Sequence, residues 1–244
     1  MGVIDSMYPE IQAGGFCRVD HRMSYLVRVN AVLEPHMTLL DLGAGRGKWQ
    51  YDGAPLRAYL GDFRNRCSHV IAADVDPVVM ENPMANECVV LEPGKPFPIP
   101  DQSVDVISAF SVFEHIEDPE ELARELDRIL KPGGWICGWT PNRWGYVALG
   151  ATAIPSGLHS AVLRIVEPER HEEDTFPTFY RMNSQGKLRE FFPPERFDHM
   201  SYTWNGFPFY HGERKWAARF WKTVLWALPD AMGAYWHVVI RKKP

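Results

Sequence analysis

The feature that most constrains this chain is the stretch Met37-Thr38-Leu39-Leu40-Asp41-Leu42-Gly43-Ala44-Gly45-Arg46-Gly47-Lys48-Trp49. Its apolar run, Leu39, Leu40 and Leu42, reads as a buried strand with an acid near its end, broken by glycine at 43, 45 and 47. Glycine at alternate positions removes side chains where backbone must turn tightly and approach a ligand closely. The residues that follow read as a helix whose first N–H groups point back into the turn. Spacing excludes two nucleotide-type loops. A dinucleotide fingerprint counted from Gly43 and Gly45 needs its third glycine at Lys48. A P-loop aligned on Gly47-Lys48 needs glycine at Leu42 and a hydroxyl residue at Trp49.

What remains is D-x-G-x-G-x-G, and Asp41-Leu42-Gly43-Ala44-Gly45-Arg46-Gly47 resembles motif I of class I S-adenosylmethionine-dependent methyltransferases. The resemblance implies an α/β, Rossmann-like fold: a seven-stranded, mostly parallel sheet closed by a C-terminal antiparallel hairpin. It also implies S-adenosylmethionine as cofactor, leaving as S-adenosylhomocysteine. In that reading Gly43, Ala44, Gly45 and Gly47 let the backbone approach the methionine portion, while Asp41 orients the loop.

Three further segments follow in the family's order. Val70 to Ala73 reads as a second strand, ending on Asp74 and Val75. In the family an acid here accepts hydrogen bonds from both ribose hydroxyls, as a two-oxygen carboxylate can. The spacing from Gly47 to Asp74 is longer than in many members, which assigns Tyr51 to Pro55 to an insertion. Cys88 to Glu92 reads as a third strand whose end, Leu91 and Glu92, is the candidate adenine contact, although Pro93-Gly94-Lys95-Pro96 follows at once. Phe97 to Ile107 is similar to the family's loop and fourth strand. Ser108-Ala109-Phe110-Ser111 leaves that strand at the carboxyl edge, where open α/β sheets bind ligands. There Phe110 and Ser111 are expected to line the sulfonium side. Glu114-His115-Ile116 leads into a helix capped by Asp118, with Pro119 at its first position and Glu121 at its third. Leu122, Leu126, Ile129 and Leu130 form its apolar stripe, and Lys131-Pro132-Gly133-Gly134 ends it. Trp135 to Thr140 reads as strand five.

Methyl transfer from a sulfonium is an in-line displacement that depends chiefly on alignment, and a base is needed only where the nucleophile begins as a hydroxyl or carbon acid. His115 is the candidate base; a structural histidine beneath the cofactor is the alternative, and the sequence leaves both open. Ubiquinone-biosynthesis O-methyltransferases carry Glu-x-x-Glu-His here, associated with a metal. This chain has Ser111 at the first of those positions, so no metal is expected. His171-Glu172-Glu173-Asp174 reads as a solvated charged turn, with hard ligands for Mg²⁺ in a chelating substrate as its alternative. The next residues, through Tyr180, Arg181 and Asn183, are expected to cover the acceptor, with His159 and His171 as further candidate contacts.

The 244 residues suit one domain: 1–36 an N-terminal lid and helix, 37–142 the cofactor-binding core, 143–196 an acceptor-covering insertion, and 197–244 closing strands and helix. Helices are expected over 21–34, around 56–63, over 157–166, after Asn183 or Ser184, and over 215–228; strands over 197–204 and 235–241 complete the sheet. Residues 1–20, interrupted by Gly and Pro, read as a loop over the site. A net charge of −5 without a basic block, and no Asn/Asp-Pro-Pro-Tyr/Phe signature after Ser108, point away from nucleic acid and toward a small-molecule or glycan acceptor, with oxygen as the expected methylated atom. The rival reading is a family member that binds the cofactor without methylating. The four cysteines are scattered, and no signal architecture or run of 18 apolar residues occurs, so a cytoplasmic protein is expected. The tryptophan-rich last third, with Arg214, Lys215, Arg219 and Lys222, reads as an amphipathic helix on the sheet, with docking to a membrane surface as its alternative.

Overall fold

The computed structural model describes residues 2–145, 177–207 and 214–244. The candidate helix 157–166 and the turn 171–174 lie outside the described residues. Eight strands form one sheet: β1 (Thr38–Leu42), β2 (His69–Asp74), β3 (Glu87–Val90), β4 (Val104–Phe110), β5 (Leu130–Pro141), β6 (Phe197–His199), β7 (Tyr202–Trp204) and β8 (Tyr235–Lys242). Their order is β3-β2-β1-β4-β5-β8-β6, with β7 also on β8. The four pairings among β1 to β5 are parallel, and the three made by β8 are antiparallel.

The described helices are α1 (Val3–Met7), α2 (His21–Val32), α3 (Pro55–Gly61), α4 (Pro119–Ile129), α5 (Gln185–Phe191) and α6 (Lys215–Ala227). Strand alternation sorts them into layers. Leu40, Leu42, Ile107, Ala109 and Ile136 face α4 and α5, meeting Leu122, Leu126, Ile129 and Leu188. Leu39, Val70, Val106 and Trp139 face the other way, against Tyr25, Leu26 and Val29 of α2. Asp118 caps α4, its Oδ1 accepting from Glu121 N at 3.0 Å, and Ser184 caps α5 through Lys187 N.

Four expectations need correction. The sheet has eight strands rather than seven, because the single strand expected over 197–204 is divided. Its register is continuous, but the Ser201 hydroxyl accepts the Val239 N–H at 3.0 Å and interrupts the backbone ladder. The closing strands are not a hairpin, since α6 lies in the chain between β7 and β8. The helix expected directly after the glycine loop is one 3-10 turn, Lys48–Tyr51. Asp52 then turns the chain by accepting from Ala54 N at 2.8 Å, and Pro55 starts α3 at the position where its missing N–H costs nothing. Residues 1–20, expected as a loop, contain α1 and a 3-10 turn at Pro9–Gln12.

That N-terminal segment is fastened by a buried ion triad. Arg57 of α3 bonds Asp52 through Nε at 2.9 Å and Asp20 through Nη1 at 2.5 Å, and the same Nη1 donates to Gly15 O at 3.1 Å. Asp20 also caps α2, accepting from Met23 N at 2.9 Å. All four cysteines are free thiols. Among the described residues no helix is long and apolar enough to cross a membrane.

Candidate active site

The strand order reverses direction between β1 and β4, the switch point at whose carboxyl edge open α/β sheets take ligands. The glycine loop sits there. Gly43, Gly45 and Gly47 have φ of 69°, 48° and 77°, the left-handed region that glycine adopts without strain. A Cβ on Gly43 would lie 2.5 Å from Val112 Cγ2, and one on Gly47 2.5 Å from Asn82 Oδ1. Both packing and dihedral therefore demand glycine. Ala44 is buried within the loop.

The end of β2 holds this loop in place. Gly43 N and Ala44 N both donate to Ala73 O, at 2.8 and 3.3 Å. Asp74 Oδ2 accepts from Gly45 N at 2.9 Å, and its Oδ1 accepts from Asp76 N at 3.0 Å. Each carboxylate oxygen keeps a lone pair for a further donor, so the pair still suits a vicinal diol. Val75 beside it is half exposed, an apolar surface at the same rim. Across the rim, Leu91 is buried and donates its N–H to Asp74 O at 2.7 Å, while Glu92 is exposed and paired with Lys95. Leu91 therefore supports Asp74 from just past β3, and Glu92 has its carboxylate turned to a lysine.

Asp41 lies on the α2 face, where Ser108 is its register partner on β4. The Ser108 hydroxyl donates to Asp41 Oδ1 at 2.9 Å, which makes the Tyr25 hydroxyl, 2.7 Å from Ser108 Oγ, the donor to serine. Burial lifts the Asp41 carboxyl to about 6, while the serine hydrogen bond and Lys48 pull the other way. Burial likewise raises Tyr25 well above the ordinary phenol range.

Phe110 ends β4, and Ser111 follows in the left-handed region at φ 58°, its N–H donated to Trp139 O at 2.7 Å. The Lys48 ammonium rests 3.8 Å from the Phe110 ring centre and 3.4 Å from its carbonyl oxygen. Desolvation at this rim lowers the Lys48 pKa to about 8, while Asp41 and Glu114 pull the other way. His21, at the start of α2, stacks on Trp139 with ring centres 5.3 Å apart and lies 6.3 Å from Phe110. Burial, with help from Arg22 and Arg57, pushes its imidazole down to about 3 and keeps it neutral. Aromatic rings and one ammonium thus enclose the edge of the sheet beside the glycine loop.

His115 sits in the 3-10 turn Phe113–His115. Nδ1 is 2.9 Å from Pro177 O, and Nε2 is 4.0 Å from Glu114 Oε1. Glu114 is buried and accepts from the Thr140 hydroxyl at 2.7 Å; burial raises its pKa. The Asn183 amide donates to Thr140 Oγ1 at 2.6 Å and to Pro141 O at 3.0 Å. Phe179 N and Tyr180 N both donate to Glu114 O, and the Arg181 guanidinium bonds Glu117 O. Residues 177–183 are therefore laced across the ends of β4 and β5. Asn183 is fully buried within that lacing, so the geometry makes it a brace rather than an acceptor contact. Tyr180 and Arg181 lie on the same strap, whereas His159 and His171 lie outside the described residues. No cluster of three or more metal-ligating side chains occurs among the described residues.

Sequence reasoning missed Ser108, Tyr25, His21, Lys48 and Trp139 as parts of this edge. Ser108 was detectable, being the one polar residue in the run Val106 to Phe110. The others reach the site from α2, the loop and β5, and no local pattern marks them. A cavity of about 310 Å³ between the N-terminal segment, α2 and β7 is lined by Cys17, Ser24, Arg28 and Trp204 among others, and by no residue of the glycine loop.

A methyltransferase-domain family model matches residues 40–138. A probable S-adenosylmethionine-dependent methyltransferase of Mycolicibacterium smegmatis is 48% identical over 46 residues, covering 19% of this chain and 18% of that protein. A ubiquinone biosynthesis O-methyltransferase of Caulobacter vibrioides is 29% identical over 147 residues, covering 57% of this chain and 53% of that protein. The matched stretches thus span at most about half the length of these relatives. In fold, the chain is similar to a solved SAM-dependent methyltransferase of Thermotoga maritima, described as a possible histamine N-methyltransferase. The TM-score is 0.55 at 14% identity, over 99% of this chain and 96% of that one.

Proposed function

We propose that this chain, whose residues 40–138 match a methyltransferase-domain family model, is a class I S-adenosylmethionine-dependent methyltransferase that transfers a methyl group to a small-molecule or glycan acceptor, at a hydroxyl oxygen. The observation that carries the reading is the latch between Asp74 and Gly45 at the sheet's switch point. It leaves a glycine-walled cradle with a diol-accepting carboxylate at one end and an aromatic, carbonyl-edged rim at the other. The residues present fit the cofactor. Asp74 would hold the ribose, with Val75 and Leu91 flanking the base. The loop from Gly43 to Gly47 would follow the methionine portion, and Phe110 and Ser111 would line the sulfonium side. The cofactor supplies an electrophilic methyl group.

The chain's own contribution is alignment and exclusion of water. Holding donor and acceptor in line supplies about 7–11 kcal/mol of barrier reduction. His115 is assigned here to the strap over the site, since its Nδ1 meets Pro177 O at 2.9 Å. Tyr180 and Arg181, on that strap, are the proposed acceptor contacts.

Calorimetric titration with S-adenosylmethionine and S-adenosylhomocysteine tests the cofactor half of the proposal. Saturable binding that disappears in Asp74→Ala is expected, and absence of binding to the wild type would overturn it. Formation of S-adenosylhomocysteine in the presence of candidate hydroxyl acceptors then separates methyl transfer from cofactor binding without turnover.

A further inference from the structure

Helix α6 carries an outward face of large aromatics and cations. Trp216, Phe220 and Trp226 are 68%, 57% and 87% exposed, while Ala218 and Leu225 bury the opposite side. At roughly 100° per residue, Lys222, Lys215, Trp226, Arg219, Thr223, Trp216 and Phe220 fall in that order around one continuous arc of about 160°. The stretch 214–227 has four cations, Arg214, Lys215, Arg219 and Lys222, and no acid, in a chain whose net charge is −5. Large aromatics interleaved with cations on a helix lying flat on the body are what an interfacial helix needs: rings enter the acyl boundary while ammonium and guanidinium groups meet lipid phosphates. A solvated helix on an acidic protein has no use for exposed tryptophans, and a groove-filling apolar peptide has no use for the cations.

The helix is held firmly and close to the site. Trp204 at the end of β7 and Tyr235 at the start of β8 are register partners, and Tyr235 pairs in turn with Pro141 at the carboxyl end of β5. Both ends of the connection that contains α6 thus lie at the edge that bears the glycine loop. Asn205 donates to Leu225 O at 3.3 Å and accepts from Ala234 N at 2.9 Å, tying the helix to that edge. The Lys222 ammonium lies 4.8 Å from the ring centre of Tyr8, in the N-terminal segment.

We propose that the exposed face of α6 docks the protein on an anionic lipid surface, through Trp216, Phe220 and Trp226 in the interface and Lys215 and Arg219 on lipid phosphates. Both ends of the α6 connection lie at the carboxyl edge of the sheet, so docking there brings that edge close to the membrane, where an amphiphilic acceptor could enter from the lipid; that consequence rests on the methyl-transfer reading, whereas the docking itself does not.

Co-sedimentation of the full chain with vesicles of phosphatidylcholine, alone and mixed with phosphatidylglycerol, tests this. The wild type is expected to bind the mixed vesicles, more weakly as salt rises and at least tenfold less to pure phosphatidylcholine. Lys215→Glu with Arg219→Glu should reduce binding by more than tenfold, at roughly fivefold for each cation removed, with a further loss from the reversed charge. Trp216→Ser with Trp226→Ser should abolish the blue shift of tryptophan emission on the mixed vesicles. Both double variants should keep the wild-type circular dichroism spectrum and bind S-adenosylmethionine as the wild type does. Equal sedimentation of wild type and charge variant would overturn the proposal. So would light scattering that reveals a dimer dissolved by the tryptophan substitutions, which would make a second copy of the chain the occupant of this face. Loss of cofactor binding in the wild type would instead count against the proposed function alone.

Discussion

Asp74 Oδ2 accepts the backbone N–H of Gly45 at 2.9 Å, so the acid that ends β2 is bonded to the centre of the loop that follows β1. One carboxylate therefore both shapes the cradle and presents the groups that would meet a ribose. Asp74→Ala removes both functions. Hydrogen bonds to a charged group contribute about 1.5–3 kcal/mol each, so affinity for S-adenosylmethionine should fall at least tenfold by calorimetry. Asp74→Asn retains an acceptor for Gly45 and should lose less.

Gly47 and Gly94 separate strain from crowding. Both have left-handed φ, 77° and 76°, but a Cβ on Gly47 would strike Asn82 whereas one on Gly94 meets open space. Gly94→Ala should cost about 1–2 kcal/mol from the dihedral alone. Gly47→Ala adds the displacement of Asn82, whose amide donates to Gly45 O at 3.1 Å, and should cost about twice as much by denaturant unfolding while also weakening cofactor binding.

The Asp41 carboxyl titrates near 6 in the folded protein against 3.8 ordinarily. Between these values the folded state holds a proton that the unfolded chain releases, so this group's contribution to stability declines as pH rises from about 4 to 6. Asp41→Asn keeps an acceptor for Ser108 and carries no charge. Relative to wild type it should gain about 1–2 kcal/mol between pH 4 and 7, allowing for screening by groove water. Parallel urea titrations at both pH values measure the difference; a constant offset would contradict it.

His115 offers a kinetic test of its place in the strap. Its Nδ1 meets Pro177 O, so His115→Ala should loosen residues 177–183, raise the KM of the acceptor and change kcat by less than tenfold. A general base would instead cost about 10²–10⁴-fold in kcat, with the pH profile flattened on the acid side.

The buried Asp20–Arg57–Asp52 triad predicts a stability effect remote from the loop. Removing one partner of a buried ion pair strands the others, so Arg57→Ala should cost about 3–5 kcal/mol and expose the N-terminal segment to proteolysis. Affinity for the cofactor should suffer only through that loss of stability.

The sequence alone determined the layered α/β core. The patterns that specify it are local: Leu39-Leu40-Asp41-Leu42 breaking into glycines, Val70 to Asp74, the cap at Asp118 and the stripe behind it. Each is written in consecutive residues, and the period of a strand or helix decides which side faces in. The sequence also singled out Asp41 and Asp74 as candidates, through the resemblance of Asp41 to Gly47 to motif I and the place of an acid after the second apolar run. Only the tertiary structure decided what those acids touch. Ser108, the register partner of Asp41, lies 67 positions away. Asn183 reaches Thr140 across 43 positions, and His115 reaches Pro177 across 62. His21 and Trp139 come together from opposite ends of the core. Such pairings depend on strand register and layer packing, which arise from the summed burial of the whole sheet and leave no mark on the few residues that they join. The edge strand divided at Ser201 follows the same rule, since a hydroxyl that captures the Val239 N–H becomes visible only once β8 is beside it.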